Sequence, residues 1–220
     1  ATGHGSAKFG LTAQVLSDIL AKPDVYPHIT FAGIHVHIGS QLHDSLATQQ
    51  AVEIAVEVIA PYPDLRTVNI GGGLPVAYAD DDPMPDWADF ADALAPLLRG
   101  YEVLLEPGRA LIADAGILVS ELLYIKQQAG EIFYIIDASM TELIRPALYE
   151  AHHTMVPLSH RDDRLNVVNV VGPVCETADV LGRTCDCRRW RRGIYSRFSP
   201  AGLTAWSWRA ITTHARARLK

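Results

Sequence analysis

A chain of 220 residues and 24.1 kDa, 49% hydrophobic and 20% charged with a net charge of −6, has apolar material for one large or two modest cores and too little charge for disorder. No apolar run approaches the roughly 18 residues of a membrane span, and no basic start followed by an apolar stretch marks a signal peptide. Three cysteines, two of them only two apart (Cys185, Cys187), make no disulfide framework, so a reducing cytoplasmic compartment is expected, and Ala1 in place of Met points to a natural start upstream.

Along the chain, residues 10–22 space Leu11, Val15, Ile19 and Leu20 as a helix that stops at Pro23. Residues 30–38 read as a strand broken by Gly39 and Ser40. The spacing predicts a helix over 44–60 (Val52, Ile54, Val56, Ile59) and a short strand over 66–70 that runs into Gly71, Gly72 and Gly73. A helix over 83–98 places Trp87, Phe90, Leu94 and Leu97 on one side, and a strand over 102–105 leads into Glu106-Pro107-Gly108-Arg109. Alternating helix and strand indicates a parallel α/β domain, expected over 1–114. Residues 116–127, 131–137 and 165–171 read as strands with fewer helices between them, so a β-rich domain is expected over 115–183.

Three strand ends carry unusual residues, and in parallel sheets ligands sit at the carboxyl ends of strands. Three glycines in a row remove every Cβ and permit positive φ, which suits a phosphate cradle or a plain flexible turn. Glu106 offers a carboxylate to a protonated ring nitrogen, and the Arg109 fork suits a phosphate or carboxylate; an internal Glu–Arg pair is the alternative. His35 and His37 alternate onto one face. With no Cys or carboxylate near them in sequence, a metal pair is not expected, and His37 is either a core residue or a flat partner for a planar ligand. Cys175 and Glu176 follow a strand end at Gly172-Pro173, fit to move a proton or read a cationic group, unless Cys175 is a buried small hydrophobe. Arg145 and Tyr149, four apart, would share one face of a helical turn.

In this order the strings SAKFGL (6–11), GIHVHIGSQ (33–41), NIGGGLP (69–75), LLEPGRALIADAG (104–116), DASMTELIRPALYEA (137–151) and VGPVCETADVLG (171–182) resemble the fold-type III pyridoxal-phosphate decarboxylases, in particular the diaminopimelate type. The resemblance implies part of an alanine racemase-like (β/α)8 TIM-type barrel followed by an incomplete β-rich domain. It implies pyridoxal 5′-phosphate as cofactor, with His37 stacked on the ring and Ser40, Gly71, Gly72 and Gly73 at the phosphate. Glu106 would meet the ring nitrogen, within a turn completed by Pro107 and Gly108, and Arg109 would contact phosphate or substrate carboxylate. Arg145, Tyr149 and Glu176 would read the far end of an amino-acid substrate, and Cys175 would return a proton to it from the neighbouring subunit of a homodimer. Cys175-Glu176 in place of Cys-Asp favours meso-diaminopimelate, giving L-lysine, over ornithine or arginine. A non-catalytic, cofactor-binding regulatory paralogue is the other reading. Neither a nucleic acid nor a membrane is an expected partner.

Two features depart from the family. The lysine that carries the cofactor there lies upstream of the SAKFGL string, whereas this chain has only Lys8, Lys22, Lys126 and Lys220, so the chain alone is expected to be an inactive, truncated form. Residues 184–220 hold nine Lys/Arg against one acid, a local +8 that leaves −14 for 1–183. Shifting the reading frame, so that each codon's third base joins the first two of the next, lets Gly202 to Trp208 encode Ala-Tyr-Gly-Met-Val-Met, the family's own continuation. A one-base loss at the Arg183 codon would produce the tail. Arg clusters with Trp190, Trp206 and Trp208 as a nucleic-acid arm are the alternative.

Overall fold

The computed structural model describes residues 8–78, 82–158, 165–188 and 195–199, with 165, 186–188 and 195–199 described by backbone alone. The chain divides into two units, Ala1–Val76 with Pro83–Ala110, and Ala77–Asp82 with Leu111–Lys220. A boundary was expected at 114/115, where strands with fewer helices between them begin; the second unit starts at Leu111 and also takes in 77–82.

The first unit holds a three-stranded parallel sheet in the order β1 (Gly33–His35), β2 (Thr67–Asn69), β3 (Glu102–Leu104), with Ile34, Val68 and Val103 in register. Helix α1 (Ala13–Leu20) precedes it, α2 (Leu46–Ile59) joins β1 to β2, and α3 (Trp87–Leu94) joins β2 to β3. Local chemistry starts two of these helices. The Thr12 hydroxyl accepts from Val15 N–H at 3.3 Å, and the Asp86 carboxylate accepts from Ala88 N–H at 2.7 Å. Asp86 as cap explains why α3 begins later than the hydrophobic spacing suggests.

Val52, Ala55 and Ile59 of α2 recur on one face and, with Phe90, Leu94 and Leu98, cover Val68 and Ile70. Each fully buried aliphatic side chain there contributes about 1.5–3 kcal/mol relative to exposure. Ile54 is exposed because a 100° step per residue turns it away from the Val52–Ile59 face, and Trp87, expected on one side with Phe90 and Leu94, is exposed at the first residue of α3. The strand expected over 30–38 pairs only at Gly33–His35, with one further bond from Val36 N–H to Asn69 O at 2.9 Å. Where part of a barrel was expected, the described residues form three parallel strands and the helices that join them.

The second unit is a six-stranded sheet in the order β6-β9-β4-β5-β7-β8, formed by β4 (Leu118–Gln128), β5 (Glu131–Ile136), β6 (Thr154–Pro157), β7 (Leu165–Val171), β8 (Val180–Arg188) and β9 (Tyr195–Ser199). Only β5 and β7 run parallel. Ala129 and Gly130, at φ 52° and 83°, make the two-residue turn between β4 and β5, the geometry that matches strand twist. Its core is Leu122, Tyr134, Ile136, Ala138, Leu143, Val168, Val170 and Leu181. Helix α4 (Gly108–Ile112) lies at the boundary between units and α5 (Arg145–Tyr149) precedes β6.

The expected change of composition at Arg183 leaves no break in the backbone, because β8 runs through it and pairs Cys185 with Val168 and Arg188 with Leu165. Ladder hydrogen bonds join main-chain groups and do not depend on side-chain identity. Residues 189–194 and 200–220, which hold most of the expected out-of-frame tail and its three tryptophans, lie outside the described residues. Among the described residues no helix is long and apolar enough to cross a membrane.

Candidate functional site

The parallel sheet brings together three strand ends that lie far apart in sequence. Gly71 and Gly73 have φ of 71° and 101°, which favours glycine. A Cβ at Gly71 would fall on the Val36 carbonyl, one at Gly72 on the Glu106 carbonyl and one at Gly73 on the Gly39 carbonyl. The triplet is therefore where the segments after β1 and β3 close onto the segment after β2.

Side chains fasten this junction. Glu106 N–H donates to Gly71 O at 2.7 Å, and the Glu106 carboxylate accepts from Asn69 Nδ2 at 2.8 Å. Asn69 Oδ1 accepts in turn from Gly71 N–H at 2.9 Å, and His37 Nδ1 accepts from Gly72 N–H at 3.2 Å. His35, the register partner of Asn69, brings Nε2 to 3.7 Å from Glu106 Oε1, with both side chains 52% exposed. The carboxylate that the sequence lacked near the two histidines thus comes from 71 residues downstream in the chain. Gln41 spans the same region, donating to Val76 O at 2.9 Å and accepting from Val76 N–H at 3.0 Å.

His37, Gly71, Gly72, Gly73 and Glu106 are thus gathered at one place. Ser40 is exposed and next to Gly39, whose carbonyl faces Gly73. Gly108 N–H donates to Glu106 O at 2.8 Å across Pro107, and Arg109 is half-buried in α4. Gly71 and Gly72 N–H are committed to Asn69 and His37, so they are not open donors for an anion.

In the second unit Arg145 and Tyr149 both lie on α5 but diverge. Arg145 is 8% exposed, its guanidinium 4.7 Å from the Tyr78 ring centroid and its Nη1 3.3 Å from His153 Nε2, whereas Tyr149 is 68% exposed. Tyr78 also meets His153 edge to face at 5.3 Å, and its carbonyl accepts from the Thr154 hydroxyl at 2.7 Å. A guanidinium over an aromatic face is held in orientation by the ring as well as by hydrogen bonds.

Cys175 and Glu176 are both exposed on the loop after β7, so the buried-hydrophobe reading of Cys175 does not apply. Buried Asp179 shapes this loop. Its carboxylate accepts from Val174 N–H at 2.9 Å and from Met140 N–H at 2.6 Å, and its main chain pairs with Gly172 and Glu176. The 137–142 loop beyond Met140 is itself bonded through Ser139, Thr141 and Glu142 and leads into α5. Sequence reading missed Asn69, Asp179, Tyr78 and His153. Asn69 and Asp179 sit inside the quoted strings NIGGGLP and VGPVCETADVLG, which were the available signal for them.

Comparison with known proteins fits this arrangement. The family model described as pyridoxal-dependent decarboxylase, C-terminal sheet domain, matches residues 16–202. A diaminopimelate decarboxylase of Aquifex aeolicus is 33% identical over 224 residues, covering 99% of this chain and 53% of the relative. One from Haemophilus influenzae is 38% identical over 190 residues, covering 83% and 46%. The crystal structure of diaminopimelate decarboxylase from Helicobacter pylori complexed with L-lysine superposes with a TM-score of 0.82 at 29% identity, over 92% of this chain and 52% of that one. The chain spans about half the length of the curated relatives it matches. With the family model covering most of its residues, the chain belongs to the pyridoxal-dependent decarboxylases.

Proposed function

We propose that this chain is the part of a decarboxylase that releases CO2 from meso-diaminopimelate to give L-lysine, using pyridoxal 5′-phosphate, and that its three parallel strands belong to a (β/α)8 barrel. The observation that carries the reading is Glu106, a half-exposed carboxylate held by Asn69 at the carboxyl end of β3, beside a glycine junction with no Cβ. Among the described residues its Oε2 accepts no hydrogen bond, an open acceptor that fits a planar group with a protonated ring nitrogen.

Bound there, the cofactor supplies an electron sink for the electron pair left when CO2 departs. Glu106 holds the proton on the ring nitrogen, and a carboxylate suits this because it stabilises the cationic ring. His37, anchored through Nδ1 to Gly72, presents its imidazole edge to the same junction. With two glycine amides committed internally, the phosphate relies on Ser40 and the Arg109 fork more than the sequence pattern implies. Arg145, oriented by Tyr78 and His153, and Glu176 and Tyr149 at exposed positions, read the charged groups of the amino acid. Cys175, exposed on the Asp179-shaped loop, returns a proton to the substrate carbon in a homodimer.

The test is product analysis with the purified product of the complete gene and added cofactor. Lysine formed from meso-diaminopimelate, with no cadaverine, putrescine or agmatine from lysine, ornithine or arginine, supports the reading. Cofactor binding without any decarboxylation overturns it in favour of a regulatory paralogue.

A further inference from the structure

We infer that Asn69 is a positioning residue that aims the Glu106 carboxylate, committing Oε1 so that Oε2 is the oxygen presented to a ligand. The inference rests on the proposed cofactor reading and deepens it. Asn69 ends β2, the middle strand, flanked in register by His35 on β1 and Leu104 on β3. Its amide is used at both ends, donating to Glu106 Oε1 at 2.8 Å and accepting from Gly71 N–H at 2.9 Å. These two partners fix which way round the amide sits, since a carboxylate only accepts and a backbone N–H only donates.

Glu106 is caught twice by the same neighbourhood. Its backbone N–H donates to Gly71 O at 2.7 Å while its side chain is held by Asn69, which also holds Gly71 N–H. The three residues form a closed ring of hydrogen bonds in which main chain and side chain of Glu106 are set relative to one glycine. His35 Nε2, at 3.7 Å, is outside hydrogen-bond distance of Oε1, so among the described residues Asn69 makes the hydrogen bond that orients that oxygen. An amide is suited to this position. Aspartate would keep the Gly71 bond and set a second negative charge against Glu106, and leucine, similar in size, would keep neither bond.

The test is a double-mutant cycle in the same protein that is used for product analysis, with pyridoxamine 5′-phosphate as probe, an amine that does not condense with lysine side chains. Its binding is followed by fluorescence, and its ring-protonation state by the position of its ultraviolet band. In the Glu106 background, Asn69→Leu is expected to weaken binding about tenfold, the scale of one hydrogen bond to a charged group, and to shift the band toward the unprotonated ring. In the Glu106→Leu background, which has no side-chain acceptor for Asn69, the same substitution is expected to change binding less than twofold and leave the band unmoved. Equal effects in both backgrounds, or none in either, overturn the inference while leaving the cofactor reading intact. If that protein, with Asn69 and Glu106 unchanged, does not bind the probe, the cofactor reading falls and the inference with it. Should Asn69→Leu not fold, Asn69→Gln, which moves the amide off both partners, takes its place in the cycle.

Discussion

Replacing Asp179 by alanine removes in one step the acceptor that ties the Cys175–Glu176 loop to the loop leading into α5. The carboxylate is 3% exposed and accepts Met140 N–H at 2.6 Å and Val174 N–H at 2.9 Å, from segments on either side of β7. A hydrogen bond to a charged group is worth about 1.5–3 kcal/mol, and losing both leaves two N–H donors to find water, so a cost of about 3–4 kcal/mol follows for the second unit. Urea unfolding followed by fluorescence reads that cost. Alkylation of Cys175 under native conditions, with the adduct located by peptide mapping, should accelerate severalfold as the loop opens. Gly172→Ala provides an independent disturbance of the same pin, because a Cβ there would fall on the Asp179 carboxylate, and the double variant should be no worse than the more damaging single one. A loss below about 0.5 kcal/mol for Asp179→Ala, with Cys175 alkylated at the parental rate, would refute the assignment of the carboxylate as the fastener of both loops.

Gly73→Ala sets a Cβ on the Gly39 carbonyl at a φ of 101°, and should lower stability by about 2 kcal/mol or more in the same urea assay. Leu122→Ala, at a fully buried position in the second core, should cost about 3 kcal/mol; a cost under 1 kcal/mol would mean the strand is not in that core. DNA sequencing across the Arg183 codon should reveal a one-base loss whose repair extends the family sequence through Ala-Tyr-Gly-Met. Independent reads that preserve the printed frame, together with tryptic peptides from 209–220 detected by mass spectrometry, would sink that account.

Much of the first unit was legible because its signals are local. Helical spacing marked α1, α2 and α3, and the glycine triplet marked a junction whose backbone needs no Cβ. The strands were drawn too long, since hydrophobic alternation over 30–38 says nothing about how many residues find a pairing partner. Candidate residues were legible where motif strings carried them. Their partners were not: Asn69 meets Glu106 across 37 residues, and Asp179 meets Met140 across 39. Such pairs arise from strand register and loop closure, which one sequence does not display. Arg145 and Tyr149 make the opposite case, a helical spacing that predicted a shared face and did not foresee the contacts of Arg145 with Tyr78 and buried His153.

The two side-chain amides at the glycine junction answer to different solution variables. Gln41 and Val76 exchange a pair of hydrogen bonds between neutral amides, as two strand residues would, so that link is indifferent to ionic strength. Asn69 instead holds a half-exposed carboxylate that ions can reach and screen. Raising salt should therefore loosen the aim of Glu106 while the loop closed by Gln41 keeps its shape, which separates orientation of the acid from architecture of the junction by a change of buffer alone.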